Sequence, residues 1–170
     1  HRIMKTLLLL ALVPVAVTSA ATAQDAQCAG ERAAMVETIR SHARADASIV
    51  APQGLSEKVL EAIGQTKRHL FIPERSCSVA YADRPVPIGR GQTISQPFIV
   101  ALMTQLAEVA PDHVVLEVGT GSGYQAAILA PLARKVCTIE IIPPLAEAAA
   151  PGVRRRGISH ERAVGPERLD

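Results

Sequence analysis

The fold class follows from one segment, which reads Val114-Val115-Leu116-Glu117-Val118-Gly119-Thr120-Gly121-Ser122-Gly123-Tyr124. Residues 113–118 form a β-branched and aliphatic run that predicts a strand, residues 124–132 predict a helix, and residues 136–142 predict a second strand. A strand, a glycine turn, a helix and a strand make a βαβ unit, and its right-handed crossover places both strands parallel in one sheet. The sequence therefore predicts an α/β fold.

The glycine turn at 119–123 has the features of a ligand site. It joins a strand to a helix, where backbone without Cβ atoms permits close approach and the helix N-terminus offers unpaired N–H donors. Glu140 closes the second strand about 20 residues after Gly119, where a carboxylate accepts hydrogen bonds from ribose hydroxyls in doubly wound folds. Plain packing would also explain the glycines alone, but the loop and the acid together predict a site for a nucleotide-like ligand.

Two cofactors fit this pattern, and the residues before the glycines favour one of them. The run Gly121-Ser122-Gly123-Tyr124-Gln125-Ala126 can be aligned with the G-x-G-x-x-G/A pattern of dinucleotide sites, in which the glycines directly follow the strand. The longer run Glu117-Val118-Gly119-Thr120-Gly121-Ser122-Gly123 instead resembles the E/D-x-G-x-G-x-G loop of class I methyltransferases. This resemblance implies S-adenosyl-L-methionine as cofactor and a Rossmann-like parallel sheet. A nicotinamide-dependent dehydrogenase stays as the weaker alternative.

Three separated segments narrow the resemblance to one family. They are Arg68-His69-Leu70-Phe71-Ile72-Pro73, Pro87-Ile88-Gly89-Arg90-Gly91-Gln92-Thr93-Ile94-Ser95-Gln96-Pro97 and Val115-Leu116-Glu117-Val118-Gly119-Thr120-Gly121-Ser122-Gly123-Tyr124. In this order they resemble the protein-L-isoaspartate O-methyltransferases, over about residues 55–148. The resemblance implies methyl transfer to the α-carboxyl of isoaspartyl residues in damaged proteins, which starts protein repair through a succinimide.

The resemblance also implies the site residues. Ser95 matches the family's active-site serine and would orient the substrate carboxylate, which is already ionised at neutral pH. Ser95 is also placed to cap the following helix, and the two roles are compatible. Asp83 and Arg84 are candidate contacts to the peptide, with a solvated loop as the alternative. The implied cofactor-binding residues are Thr93, Ile94, Ser95, Glu117, Gly119, Thr120, Gly121, Ser122, Gly123 and Glu140.

Helices are expected before the βαβ unit. Residues 28–44 carry apolar side chains at helical spacing, and Ser56 is placed to cap a second helix. His69 is most simply a core or surface histidine, because no partner acid is visible near it. Residues 78–91 predict irregular, extended chain, and Pro97 fits the first turn of a helix that runs through Leu106.

Composition places the chain among globular proteins. Of the 170 residues, 48% are hydrophobic and 20% are charged, so one ordinary domain with a packed core is expected. Aromatic residues make up 2% and the net charge is +2, so neither base stacking nor a polyanionic partner is indicated. We expect isoaspartyl-containing polypeptides as partners, no nucleic acid, and a monomer.

Residues 4–23 have the pattern of a secretory signal peptide. Lys5 supplies the positive start, residues 7–17 form the apolar run, and Ala21-Thr22-Ala23 is a small-residue cleavage site. Because a membrane-spanning helix needs roughly 20 apolar residues, cleavage is expected rather than anchoring. The chain is thus predicted to be exported to the periplasm with no stable membrane association, and the cytoplasm is the alternative.

The cysteines suggest a structural role. Cys28, Cys77 and Cys137 lack C-x-x-C spacing, so no metal site and no thioredoxin-type redox pair are predicted. Cys137 falls in a strand pattern and is most simply a buried apolar residue. Cys28 and Cys77 could pair in an oxidising compartment, which we treat as a hypothesis.

The last part of the chain departs from the family's pattern. Residues 151–170 show no apolar periodicity and predict a polar tail without a further strand, resembling truncated or frame-shifted sequence. The predicted organisation is a signal segment at 1–23, the N-terminal part of a methyltransferase domain at 24–150 with an incomplete sheet, and a non-matching tail at 151–170. Two functions therefore stay open: a methyltransferase, or a remnant that binds cofactor or peptide without catalysis.

Overall fold

Helices form the N-terminal part of the computed structural model, which describes residues 18–45 and 54–162. They are α1 at Thr18–Ala45, α2 at Glu57–Gln65, a 3₁₀ turn at Arg68–Phe71 and α3 at Cys77–Ala80. The predicted signal segment at 4–23 lies largely outside the described residues, and only the backbone of residues 18–23 is described, as part of α1.

The first two helices form where apolar periodicity predicts them. In α1, Met35 and Ile39 are buried at a helical spacing, and α2 buries Val59, Leu60 and Ile63. Ser56 is the N-cap of α2, and its hydroxyl accepts a hydrogen bond from the Val59 N–H at 3.4 Å. The predicted cap is confirmed, and these apolar stripes contribute to the larger of the two hydrophobic clusters found among the described residues.

A disulfide joins α1 to α3. Cys28 pairs with Cys77, and their Cα atoms lie 5.1 Å apart across a separation of 49 residues. The hypothesised pairing is confirmed. Cys137 is a free thiol on the sheet and is half-buried rather than fully buried.

The segment before Ser95 is more regular than its sequence predicts. A hairpin of β1, Val86–Gly89, and β2, Gln92–Ile94, stands where irregular extended chain was expected. Its turn places Gly89, Arg90 and Gly91 at φ of +92°, +55° and +71°. Glycine adopts positive φ without a Cβ penalty, so the two glycines permit this tight return. Helix α4 follows at Pro97–Leu106.

The βαβ unit is confirmed. β3 at Val114–Val118 pairs in parallel with β4 at Lys135–Glu140, and α5 at Tyr124–Leu129 connects them. Helix α6, Pro143–Arg154, then leads to a third parallel strand, β5 at Ser159–Arg162. The strand order is β3-β4-β5.

The expectation of no strand after residue 150 is wrong. Helix α6 crosses that position with Leu145, Ala146, Ala149 and Val153 buried at helical spacing, and β5 pairs with β4 beyond it. The sequence of β5, Ser159-His160-Glu161-Arg162, has no apolar alternation, so its pattern gave no strand signal. It pairs because α6 delivers it to the open side of β4.

One face of the sheet is covered and the other is open. Ala126 and Leu129 of α5 and Val153 of α6 pack with Val136 in the second hydrophobic cluster, over one face. On the opposite face of β3, the side chains of Val114, Leu116 and Val118 are 55%, 61% and 76% exposed. Among the described helices, none has the length and apolar character needed to cross a membrane.

Candidate cofactor site and reaction centre

The glycine loop is anchored to the end of β4 by its own backbone. The N–H groups of Gly119 and Thr120 both donate to the Ile139 carbonyl, at 2.8 and 3.1 Å. Gly119 has φ +93°, and a Cβ placed on it would meet no atom within 4 Å. Open space therefore faces the backbone at the first glycine, which is the condition for a ligand to lie against it.

Glu140 points at this loop, as its spacing predicts. Its carboxylate is buried, and one oxygen accepts a hydrogen bond from the Gly121 N–H at 2.8 Å while the other accepts from Ile142 at 2.9 Å. A carboxylate offers about four lone-pair positions, so acceptor capacity remains for ligand hydroxyls. The Glu140 carboxylate at the end of β4 thus lies against Gly121, the second glycine of the loop.

Glu117 begins a hydrogen-bonded chain beneath the loop. The Thr138 hydroxyl donates to the Glu117 carboxylate, and the Thr120 hydroxyl lies 2.7 Å from the Thr138 hydroxyl. Burial raises the pKa of Glu117 to about 7, although the hydrogen bond from Thr138 acts in the opposite direction. Glu117 can therefore exist in both protonation states near neutral pH.

Ser95 lies in the turn between β2 and α4, where its side chain is exposed. The prediction that it caps α4 is wrong, because Gln96 occupies the N-cap position and makes no side-chain cap bond. The Asp83 carboxylate takes this part instead, accepting from the Phe98 N–H at 2.9 Å and from the Gln96 side chain at 3.0 Å. Because Asp83 accepts these hydrogen bonds, the Ser95 hydroxyl is not needed as a helix cap and is available to a ligand.

Asp83 is thus a structural acceptor in this structure rather than an exposed peptide contact. Its side chain is 8% exposed and lies 2.8 Å from the imidazole Nδ1 of His42 on α1. Sequence reasoning missed this role because Asp83 and Phe98 lie 15 residues apart. A local capping pattern could not reveal it.

Arg68 supports the Ser95 turn from inside the protein, a role that sequence reasoning also missed. Its side chain is fully buried; Nη2 donates to the Ser95 carbonyl at 2.7 Å and Nε donates to the Ala80 carbonyl at 2.8 Å. The guanidinium lies 4.8 Å from the centroid of the Tyr124 ring, directly after the glycine loop. Burial lowers the pKa of Arg68. His69, its neighbour, is a core residue whose Nδ1 lies 2.8 Å from the Tyr81 hydroxyl.

Most predicted site residues meet at one small cavity of about 70 Å³. The predicted residues that line it are Thr93, Ile94, Ser95, Glu117, Gly119, Thr120, Gly121 and Ser122. Val100, Tyr124 and Gln125 also line it and were not predicted. Two predicted residues lie outside the lining: Glu140 reaches the loop from β4, and Gly123 packs against α6.

The arrangement fits S-adenosylmethionine in its chemistry, and the described residues enclose part of such a ligand. Open backbone at Gly119, the Glu140 carboxylate and the titratable Glu117 suit a cationic nucleoside with ribose hydroxyls. Pockets for whole ligands usually measure about 300 Å³ or more, so much of a nucleoside would extend beyond the 70 Å³ cavity. Val118, the last residue of β3 before the glycine loop, is exposed and is not part of the cavity lining.

Comparison with known proteins identifies the family. The profile described as protein-L-isoaspartate(D-aspartate) O-methyltransferase matches residues 47–165, which extends beyond residue 150. Protein-L-isoaspartate O-methyltransferase 1 of Cupriavidus necator is 48% identical over 148 residues, covering 87% of this chain and 57% of the relative. Protein-L-isoaspartate O-methyltransferase 2 of Syntrophobacter fumaroxidans is 46% identical over 155 residues, covering 91% of this chain and 63% of the relative.

A solved structure supports the fold. The chain superposes on a protein-L-isoaspartate O-methyltransferase with a TM-score of 0.63 at 23% identity, over 79% of this chain and 42% of the other. The Rossmann-like α/β class with preceding helices is therefore confirmed. The chain spans 57% and 63% of the length of the two curated relatives. On the family match, the chain belongs to the protein-L-isoaspartate(D-aspartate) O-methyltransferase family.

Proposed function

We propose that this protein transfers a methyl group from S-adenosylmethionine to the α-carboxyl of isoaspartyl residues in damaged polypeptides. The observation that carries the proposal is the shared cavity, where Ser95 and Thr93 from the hairpin side meet Gly119 and Gly121 of the loop. Reaction requires the two substrates to approach each other from these two sides. The curated relatives carry the name protein-L-isoaspartate O-methyltransferase, which supports the same activity.

The chain's own residues would contribute mainly alignment. S-adenosylmethionine, when bound, supplies an electrophilic methyl group on a sulfonium. The acceptor is an α-carboxylate with a pKa of about 3.5, so it needs no general base at neutral pH. Ser95 would hold that carboxylate by a hydrogen bond, and positioning of this kind can account for a large share of a rate enhancement. Glu140 would accept from ribose hydroxyls, and ionised Glu117 would favour a cation.

A transfer assay tests the proposal directly. An isoaspartyl peptide and its aspartyl counterpart would be incubated with radiolabelled S-adenosylmethionine, and only the isoaspartyl peptide should be methylated. Ser95→Ala should lower the rate at least tenfold, consistent with loss of one positioning contact. Ser78→Ala, which alters a serine remote from the cavity lining, should leave the rate unchanged. Equal labelling of both peptides would contradict the assignment.

A non-catalytic binding remnant is the second candidate, and the open side of the cavity favours it. With an enclosed volume of about 70 Å³, the described residues bury little of a nucleoside. Calorimetry with S-adenosylhomocysteine separates the two functions. Binding without methyl transfer would identify a remnant, whereas binding with transfer would identify an enzyme.

We also propose that the protein is exported to the periplasm and acts there as a monomer. The apolar run at 7–17, its small-residue cleavage site and the Cys28–Cys77 disulfide support an oxidising destination. A fusion of residues 4–30 to a reporter that is active only in the periplasm should be active. A cytoplasmic reporter signal, together with free Cys28 and Cys77 thiols in mass spectrometry, would contradict this location.

A further inference from the structure

A groove outside the proposed cofactor cavity opens between the Arg68–Phe71 turn and helix α6. Two adjoining cavities, of about 310 and 360 Å³, share the lining residues Leu70, Phe71, Arg75, Ser122, Ala148 and Ala149, so they form one continuous depression. We call this depression the arginine groove, because Arg75, Arg155 and Arg156 line it. None of the described lining residues is acidic.

The arginines come from different elements and converge on an apolar floor. The Arg156 side chain lies over the Phe71 ring, and its guanidinium carbon is 4.9 Å from the ring centroid. Its Nη1 donates a hydrogen bond to the Gly152 carbonyl at 2.8 Å. Arg75 lies beyond the 3₁₀ turn, and Arg155 is exposed at the C-terminal end of α6. Cations at a helix C-terminus often only offset the helix dipole, which would suffice for Arg154. Arg75 lies on a different part of the chain, after the 3₁₀ turn.

Charge and shape together favour an extended acidic chain. The apolar floor can pack against the CH₂ groups of acidic side chains. The neighbouring guanidinium groups attract carboxylates and repel lysine-rich segments. Partial burial, followed by the charge of the neighbouring Arg155, lowers the pKa of Arg156.

The groove also connects to the proposed reaction centre. Gly121 and Ser122 line both the arginine groove and the cavity that contains Ser95. The groove and the cavity therefore adjoin at the glycine loop, so a polypeptide whose acceptor residue lies at Ser95 would have its flanking residues close to the groove.

We propose that the arginine groove binds acidic side chains that flank the methyl-accepting residue of the polypeptide substrate. This inference rests on the proposed function, because it assigns the groove to the same substrate. It predicts that substrates with Asp or Glu beside the isoaspartyl residue are preferred over neutral ones, and that lysine-flanked ones are disfavoured.

The test uses the full 170-residue chain and fluorescently labelled peptides of equal length. Isoaspartyl peptides with glutamate, glutamine or lysine flanks are compared by anisotropy at low and high salt, alongside a glutamate-flanked peptide that contains ordinary aspartate. The glutamate-flanked isoaspartyl peptide should bind about three- to tenfold more tightly than the glutamine one, as expected for one or two partly exposed ion pairs, and salt should reduce the difference.

Matched variants localise the effect. Arg155→Gln removes an exposed charge from the groove, and Arg154→Gln removes an exposed charge from the preceding position, which does not line the groove. Only Arg155→Gln should reduce the preference for the glutamate flank, and circular dichroism should show both variants folded. Equal loss in both variants would attribute the preference to overall charge and overturn the proposal.

The outcomes also separate this inference from the proposed function. Methylation of all isoaspartyl peptides with no dependence on flanking charge would overturn the groove assignment and leave the activity standing. Tight, Arg155-dependent binding of both glutamate-flanked peptides without any methylation would support the groove and contradict the activity.

Discussion

Glu117 shows how one half-buried side chain links folding to pH. Its pKa is raised to about 7 because partial burial removes some of the hydration of the charged form. In the unfolded chain the group titrates near 4.5, so between these values the folded state binds more protons than the unfolded state. The contribution of Glu117 to stability is therefore complete at low pH and is lost as the pH rises through 7.

We predict that Glu117→Gln removes this pH dependence. Between pH 4.5 and pH 7 the original protein should lose up to about 3 kcal/mol of unfolding free energy that the variant does not lose. The unfolding free energy of the variant minus that of the original protein should therefore rise by this amount. Glutamine keeps an acceptor for the Thr138 hydroxyl and carries no charge. Urea unfolding at several pH values measures the difference, with Glu147→Gln on the exposed side of α6 as control. A difference that stays constant with pH would refute the explanation.

The glycines of the loop are predicted to differ in their tolerance of a side chain. A Cβ at Gly123, where φ is +83°, would lie 2.7 Å from the Val153 side chain, whereas one at Gly119 would meet only open space. Gly123→Ala should lower the free energy of unfolding by about 2 to 4 kcal/mol through strain and overpacking. Gly119→Ala should cost about 1 to 2 kcal/mol through strain alone.

Two measurements on these variants separate packing from ligand access. Thermal unfolding should rank Gly123→Ala as the less stable protein. Calorimetry with S-adenosylhomocysteine should show the larger loss of affinity for Gly119→Ala, whose new methyl group would stand where a ligand approaches the backbone. The reverse ranking in both measurements would contradict the assignment.

At the level of elements, the longest helix is held to the domain by a covalent bond as well as by packing. The Cys28–Cys77 disulfide closes a segment of 49 residues between α1 and α3. Closing a loop of this length restricts the unfolded chain and stabilises the folded state by about 4 kcal/mol in the chain-entropy description. Reduction should therefore affect the docking of α1 more than the sheet.

We predict that the double variant Cys28→Ser, Cys77→Ser unfolds at a clearly lower denaturant concentration, and that adding a reductant no longer shifts its midpoint. The original protein should show a reductant-dependent midpoint that approaches that of the variant. Cys137→Ser serves as control, because Cys137 is a free thiol and its replacement should leave the reductant dependence intact. A midpoint that does not respond to reductant in the original protein would show that the bridge adds nothing.

At the scale of the whole molecule, one face of β3 exposes apolar side chains that no other described element covers. Val114, Leu116 and Val118 are all more than half exposed on that face, and Ile141 beyond β4 is 66% exposed. Parallel sheets usually have both faces covered, so an open apolar face of this kind is unusual. Apolar dyes bind to such surfaces.

We predict that the 170-residue chain enhances the fluorescence of anilinonaphthalene sulfonate while it is folded. Replacing Leu116 and Val118 by threonine should reduce that signal by more than half without lowering the melting temperature, since neither side chain is buried. Ile99→Thr, a change at an exposed apolar residue on α4, should have a small effect. Strong dye binding that survives the double substitution would mean that the dye reports another surface.

Sequence reasoning succeeded where neighbouring residues determine the structure. The βαβ unit, the Ser56 cap and the approach of Glu140 to the loop all follow from periodicity or from a fixed spacing. It failed where distant segments decide. Asp83 caps a helix 15 residues later, and Arg68 binds carbonyl groups 12 and 27 residues away. β5 is polar and becomes a strand only because β4 offers it a pairing edge.

Arg68 has one further consequence for motion in the protein. Its guanidinium fastens the Ser95 carbonyl on one side and lies over the Tyr124 ring on the other. We therefore expect thermal displacements of the serine turn and of the first turn of α5 to be correlated. Arg68 therefore couples the two walls of the candidate cavity, and the distance between these walls should fluctuate less than the distance of either wall from solvent-exposed loops.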